Sequence, residues 1–273
     1  MTDIFHYEFM RNALFTATLV AALGGVTGFF LIQRGMTFAG HALPGMGFAG
    51  AAGAVWLGFS PLAGLVVFTL AGAGGIARLK GDPRERDLHI GMLLVTALAL
   101  GLLFLSLYPG FAEPAYAILF GSLLGISASE TVFVAGGSLV LGLFFVFTFR
   151  PLLFASFDPQ AAQARGVPTR LLGAAFMAVT ALVVALCVPI TGTLLVFTLL
   201  VAPAAIATRL TGSPVKAVLL SLLLAEVLVW TAFILAYNFN SIPGFFVAAL
   251  SFLLYLVVRL TPRPSRKARR RSS

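Results

Sequence analysis

Long apolar runs separated by short polar stretches make up almost the whole of this chain. Ala13 to Gln33, Met36 to Phe59, Ser60 to Ala77 and Leu88 to Tyr108 are the first four. Thr131 to Phe149, Leu171 to Val188, Thr193 to Thr208, Pro214 to Tyr237 and Phe245 to Leu260 follow. Most approach the roughly 20 residues that carry a helix across hydrocarbon, with Thr193 to Thr208 on the short side. None has the alternate-residue period of a membrane barrel strand. The pattern predicts an all-α polytopic bundle of about eight to nine spans. Residues 1–273 read as one transmembrane domain. Between the fourth and fifth runs, Pro109 to Ser129 has an apolar middle, AYAILFGSLLGIS, too short to cross. It reads as a re-entrant or interfacial helix.

Two runs carry many small residues. Gly24, Gly25 and Gly28 offer the first span a face for close helix contact. The second is rich in glycine and alanine and is interrupted by Pro44. Its glycines allow close packing, while the proline frees a backbone carbonyl that could line a polar path. Either use produces the same sequence.

The longest internal stretch that is neither lipid-soluble nor a tight turn is Arg150 to Arg170, RPLLFASFDPQAAQARGVPTR. Asp158 is a suitable N-cap and Pro159 a suitable first helical residue, and Gly166 with Pro168 close the element. A short helix over Pro159 to Arg165 follows, serving as a turn between spans or as a docking site.

Composition agrees with lipid as the solvent. Of 273 residues 60% are hydrophobic and 10% charged, and the mean hydropathy is +1.03. A soluble domain carries about a quarter charged residues. The net charge of +9 does not read as nucleic-acid binding, because the cations stand at the ends of apolar runs. With the basic tail 261–273 taken as cytoplasmic, Arg209, Lys216, Arg150 to Arg170, Arg78 to Arg86 and Arg34 fall on the same side. The opposite connections hold no lysine or arginine, and only Arg11 is misplaced. The first span reads as a retained anchor rather than a removed signal. The single cysteine, Cys187, reads as a small buried hydrophobe.

Chemistry is sparse. Glu226 stands alone among the nine acids in lying about halfway along a span. A mid-bilayer carboxyl costs several kcal/mol unless neutralised, paired or wet, so it marks a transport path or a packing hydrogen bond. His41, in GHALPG of the second span, is a candidate ligand for a first-row metal ion, or a satisfied core histidine. His6 and His89 lie near span edges, and Asn238 and Asn240 near the opposite mouth suit capping. There is no P-loop, HExxH or nucleophile elbow, so the chain reads as a non-catalytic transport subunit.

Several stretches together resemble the membrane subunit of ATP-binding-cassette importers for zinc, manganese or iron. They are QRGMTFAGHAL, LFGSLLGIS, SFDPQAAQARGVP, TGTLLVFTLLVAPAAIATRL and YNFNSIPGFFVAALSFLLYL, in this order along nearly the whole chain. The resemblance implies a type II importer-like permease fold in a bacterial or archaeal cell membrane. It implies a permease homodimer, a cytoplasmic ABC ATPase, and a periplasmic or surface metal-binding protein. Phe157, Asp158, Ala161 and Gly166 would form the helix that couples to the ATPase. From the residues themselves, the ion path relies on His41 with Glu226, on a shifted register, or on main-chain oxygens, with no cofactor permanently bound. One departure stands out: members of this family often carry two ligands spaced by four, and Gly45 stands in the second place. A permease for a chelated cargo (siderophore, haem or cobalamin) and a gradient-driven secondary carrier are the alternative readings.

Overall fold

The computed structural model describes residues 8–79, 81–109, 121, 127–239, 241 and 243–261. The described residues form ten helices and no strand. They are α1 (Glu8–Gln33), α2 (Thr37–Trp56), α3 (Pro61–Arg78), α4 (Pro83–Leu107) and α5 (Ala128–Phe157). After these come α6 (Pro159–Ala164), α7 (Thr169–Thr191), α8 (Thr193–Leu210), α9 (Pro214–Phe239) and α10 (Pro243–Leu260).

Seven of the helices, α1, α3, α4, α5, α7, α9 and α10, are long and apolar enough to cross a membrane. Helices α2 and α8 complete the nine long elements. Helix α8 is apolar but short, and α2 draws much of its length from glycine and alanine. That composition suits a helix walled in by protein: Ala39 to Ala54 are buried apart from His41.

Glycines set how closely the helices approach. A Cβ on Gly28 would overlap the Leu200 carbonyl of α8, and one on Gly25 would lie 3.0 Å from the Leu222 Cα of α9. The Ser221 hydroxyl donates to the Gly25 carbonyl at 2.7 Å across that contact. Gly50 of α2 and Gly64 of α3 press on each other's carbonyls, and Gly53 meets the Phe104 ring of α4. The glycines of α2 therefore serve packing, the first of the two uses their sequence allowed.

The same contacts give directions. Helix α4 runs parallel to α2, matching Gly45 to Leu94 and Gly53 to Phe104. Helix α5 runs parallel to α1, matching Thr16 to Thr131 and Phe30 to Phe145. Helices α1 and α2 are antiparallel about a Schellman turn at Gly35, with φ +61°, where Met36 N–H donates to the Leu31 carbonyl at 2.8 Å. Helices α4 and α5 consequently run in opposite directions, and the chain between them begins and ends at one end of the bundle. The expected re-entrant helix there, and the basic tail 262–273, lie outside the described residues.

With these directions the cations sort. Arg34, Arg78, Arg84, Arg86, Arg150, Arg165, Arg170, Arg209, Lys216 and Arg259 gather at one end, and Arg11 alone among described residues is near the other. The helix before α6 is longer than its apolar run suggested. Arg150 to Phe157 are the last turns of α5, which continues through Pro151 because Leu152 and Ala155 find buried positions. The proline costs one helix hydrogen bond, to the Phe147 carbonyl, and burial outweighs it.

Candidate functional site

At the cation-bearing end, α6 is a six-residue helix held at both termini. The Asp158 carboxylate accepts the Ala161 N–H at 2.9 Å, and Pro159 occupies the first turn, where its missing N–H has no partner to lose. At the far end Gly166 takes φ +83°. There Val167 N–H donates to the Ala162 carbonyl and Gly166 N–H to the Gln163 carbonyl, each at 3.0 Å. This is the Schellman closure, and its glycine supplies the left-handed residue it needs. Ala162 is fully buried, and the Arg165 guanidinium lies 5.6 Å over the Phe154 ring of α5. Outward, Phe157, Asp158, Gln160 and Gln163 are exposed. So short a helix would not persist alone; caps and one buried alanine make it a firm projection.

His41 lies in the second turn of α2 and is exposed, although the stretch Ala39 to Ala54 around it is otherwise enclosed. Its ring meets Phe197 of α8 edge to face, with centroids 5.0 Å apart, and Phe38 at 6.1 Å. Pro44 removes the N–H that the Gly40 carbonyl, next to the histidine in sequence, would have accepted. Gly45, one turn on, is buried against Leu94 and Leu98 of α4, and a Cβ there would overlap Leu94. The place where a second ligand would stand is thus filled from α4. Among the described residues no three histidines, cysteines or acids come together as a metal cluster.

Glu226 belongs to another helix. On α9 it lies between Leu222, which packs on Gly25, and Trp230, whose indole N–H donates to the Thr18 hydroxyl at 3.0 Å. The residues on either side of it therefore face α1. Glu226 is half-buried, and its Oε2 has no hydrogen-bond partner. Helix α9 packs on α1, α8 and α10, whereas α2 packs chiefly on α3, α4 and α8. The two helices share α8 as a neighbour.

Several of the remaining candidates have local roles or surroundings. Glu130 closes a capping box on α5, accepting the Ser127 N–H at 2.8 Å, a feature legible as S-x-x-E. The Asn238 side chain donates to the Ile234 carbonyl at 2.8 Å, His89 is exposed at the start of α4, and Cys187 is buried. His6 and Asn240 lie outside the described residues. Sequence reading missed Phe197, because an aromatic residue in an apolar run carries no mark of what it faces. It also missed Arg34, whose guanidinium lies 5.4 Å over the Phe176 ring while Arg86 donates to the Gly35 carbonyl at 2.7 Å. Burial and the neighbouring Arg86 hold the Arg34 guanidinium below its ordinary pKa.

Nine long helices that include an enclosed glycine-rich α2, with a capped projection at the cationic end, are an arrangement already known. Residues 6–261 match the ABC 3 transport family. The chain belongs to that family. A manganese transport system membrane protein, MntC of Halalkalibacterium halodurans, is 32% identical over 77% of this chain and 72% of its own length. The high-affinity zinc uptake system membrane protein ZnuB of Haemophilus influenzae is 25% identical over 92% of this chain and 97% of its own. Among solved structures, PsaBC from Streptococcus pneumoniae in complex with Fab superposes with a TM-score of 0.83 at 28% identity. That match covers 94% of this chain and 93% of the other. The all-helical permease fold expected from the family resemblance is the fold observed.

Proposed function

We propose that this ABC 3 family chain is the membrane permease subunit of an ATP-driven importer of a divalent metal ion, manganese, zinc or iron. The observation that carries the reading is the chain-long match to a permease family whose similar members are named for manganese and zinc transport. The ion is cargo and not a resident cofactor. A cytoplasmic ABC ATPase supplies the energy, a periplasmic or surface metal-binding protein delivers the ion, and two permease copies enclose the path. The cation-rich end faces the cytoplasm, in keeping with the excess of lysine and arginine that cytoplasmic connections carry.

In this reading α6 is the coupling element. Phe157 and Asp158 meet the ATPase, while Ala161 and Gly166 keep the helix narrow and closed. The firm caps support it, since a push from nucleotide-driven closure passes through a rigid projection better than through a loop. His41 offers the ion an imidazole from the one exposed position of the enclosed stretch Ala39 to Ala54. Its partners are the second copy's equivalent, water or main-chain oxygens, because Gly45 brings no side chain. Glu226 acts from its separate face on α9, as a polar group bordering the path.

Co-expression with the cognate ATPase tests the coupling assignment. The double variant Asp158→Lys, Ala161→Arg is expected to lose co-purification of the ATPase while the permease still folds. Full retention of the ATPase, with normal uptake, would falsify the assignment of α6.

A further inference from the structure

Helices α5 and α9 both lie against α1 but do not pack closely on each other. Between them runs an open apolar groove of about 790 Å³. Leu23 and Val26 of α1 form its floor, Val146 and Phe149 of α5 one wall, and Leu219 and Leu222 of α9 the other. Along α5 it extends from Ala135 to Phe149, about 21 Å at 1.5 Å per residue. One leaflet holds about 15 Å of hydrocarbon, so the groove is long enough for a full acyl chain.

Its mouth lies at the cation-bearing end. Arg150 stands one helical turn beyond Val146 and Lys216 directly follows Val215, both of these neighbours lining the groove. Arg150 and Lys216 are exposed, and neither has an ion-pair or hydrogen-bond partner among the described residues. The acid of the adjoining turn, Asp158, is engaged in capping α6. Two unpaired cations above an apolar channel of acyl length match an anionic phospholipid in both parts of the molecule.

We propose that this groove binds an anionic diacyl phospholipid, one chain lying along α1 between α5 and α9 and the phosphate held by Arg150 and Lys216. The glycines of α5 allow a clean test. A Cβ on Gly142, which lines the groove, meets nothing within 4 Å, and the same holds for Gly136, which does not line it. Leucine at 142 therefore fills the channel without displacing backbone, and leucine at 136 is its control.

The full-length purified protein would be titrated with phosphatidylglycerol or phosphatidylcholine vesicle lipid and its adducts counted by native mass spectrometry. About tenfold preference for phosphatidylglycerol is expected in the parent and in Gly136→Leu. The pair Arg150→Ala, Lys216→Ala should abolish the preference while phosphatidylcholine binding persists. Gly142→Leu should lower retention of both lipids at least about threefold, the chain having lost its channel. Equal retention of the two lipids by the parent overturns the proposal, as does a preference unchanged by Arg150→Ala, Lys216→Ala. A shift of oligomeric state on Gly142→Leu would overturn it too, assigning the groove to a second copy instead.

Discussion

Helices α2 and α4 lie side by side in the same direction, yet they are built on opposite plans. Helix α2 is enclosed from Ala39 to Ala54 and is made largely of glycine and alanine. Helix α4 buries little beyond Ile90 and Gly101 and turns leucines such as Leu93 and Leu102 outward. In water the more apolar helix would be the inner one. In lipid the tails are as apolar as leucine, so helices gain little by hiding apolar side chains from them. Close van der Waals approach then decides which helix goes inside, and small residues provide it. In this pair the leucine-rich helix turns outward, and the helix of small residues meets other helices. His41 breaks the plan of α2, as a polar residue exposed from an enclosed helix, and so it draws the functional reading.

The sharpest way to break this contrast is to enlarge α2. Gly50→Leu should leave almost no folded protein by size-exclusion chromatography. Its Cβ already collides with the Gly64 carbonyl and Phe68, and overpacking against backbone exceeds the usual cost of about 1–3 kcal/mol. The exposed imidazole comes next. His41→Ala should lower metal uptake about tenfold or more, the scale of losing a group that supports a metal, at an unchanged unfolding temperature. An equal fall in stability would show that His41 is only a packing residue. Glu226→Gln should reduce uptake by less than His41→Ala, because the residues flanking Glu226 face α1. A larger loss would move the ion path to α9. Smallest of all, Leu102→Ala on the lipid-facing side of α4 should leave the melting temperature of reconstituted protein essentially where it was.

Much of this was legible beforehand. The caps of α6 were readable because Asp158, Pro159 and Gly166 act on their own backbone within a few residues, and local hydrogen bonds need no distant partner. The path through Pro151 was not, because its continuation rests on buried sites for Leu152 and Ala155 offered by other helices. Pairing His41 with Glu226 was attractive in the sequence, where both are rare polar groups in apolar runs. The fold turns the residues flanking Glu226 toward α1 and sets the His41 ring against Phe197 of α8, since helical phase and neighbour choice are decided by packing.

From the sequence alone came the helical class and the end that collects the cations. These follow from the need to satisfy every backbone group within lipid and from the placement of charge at its borders. The sequence counted about eight to nine spans, where seven described helices are long and apolar enough to cross. Tertiary structure alone decided which glycines touch which carbonyls, that α4 fills the place beside Gly45, and that α5 and α9 leave a channel along α1. Those outcomes depend on shapes meeting between distant segments, and no residue carries its partner's shape in its own identity.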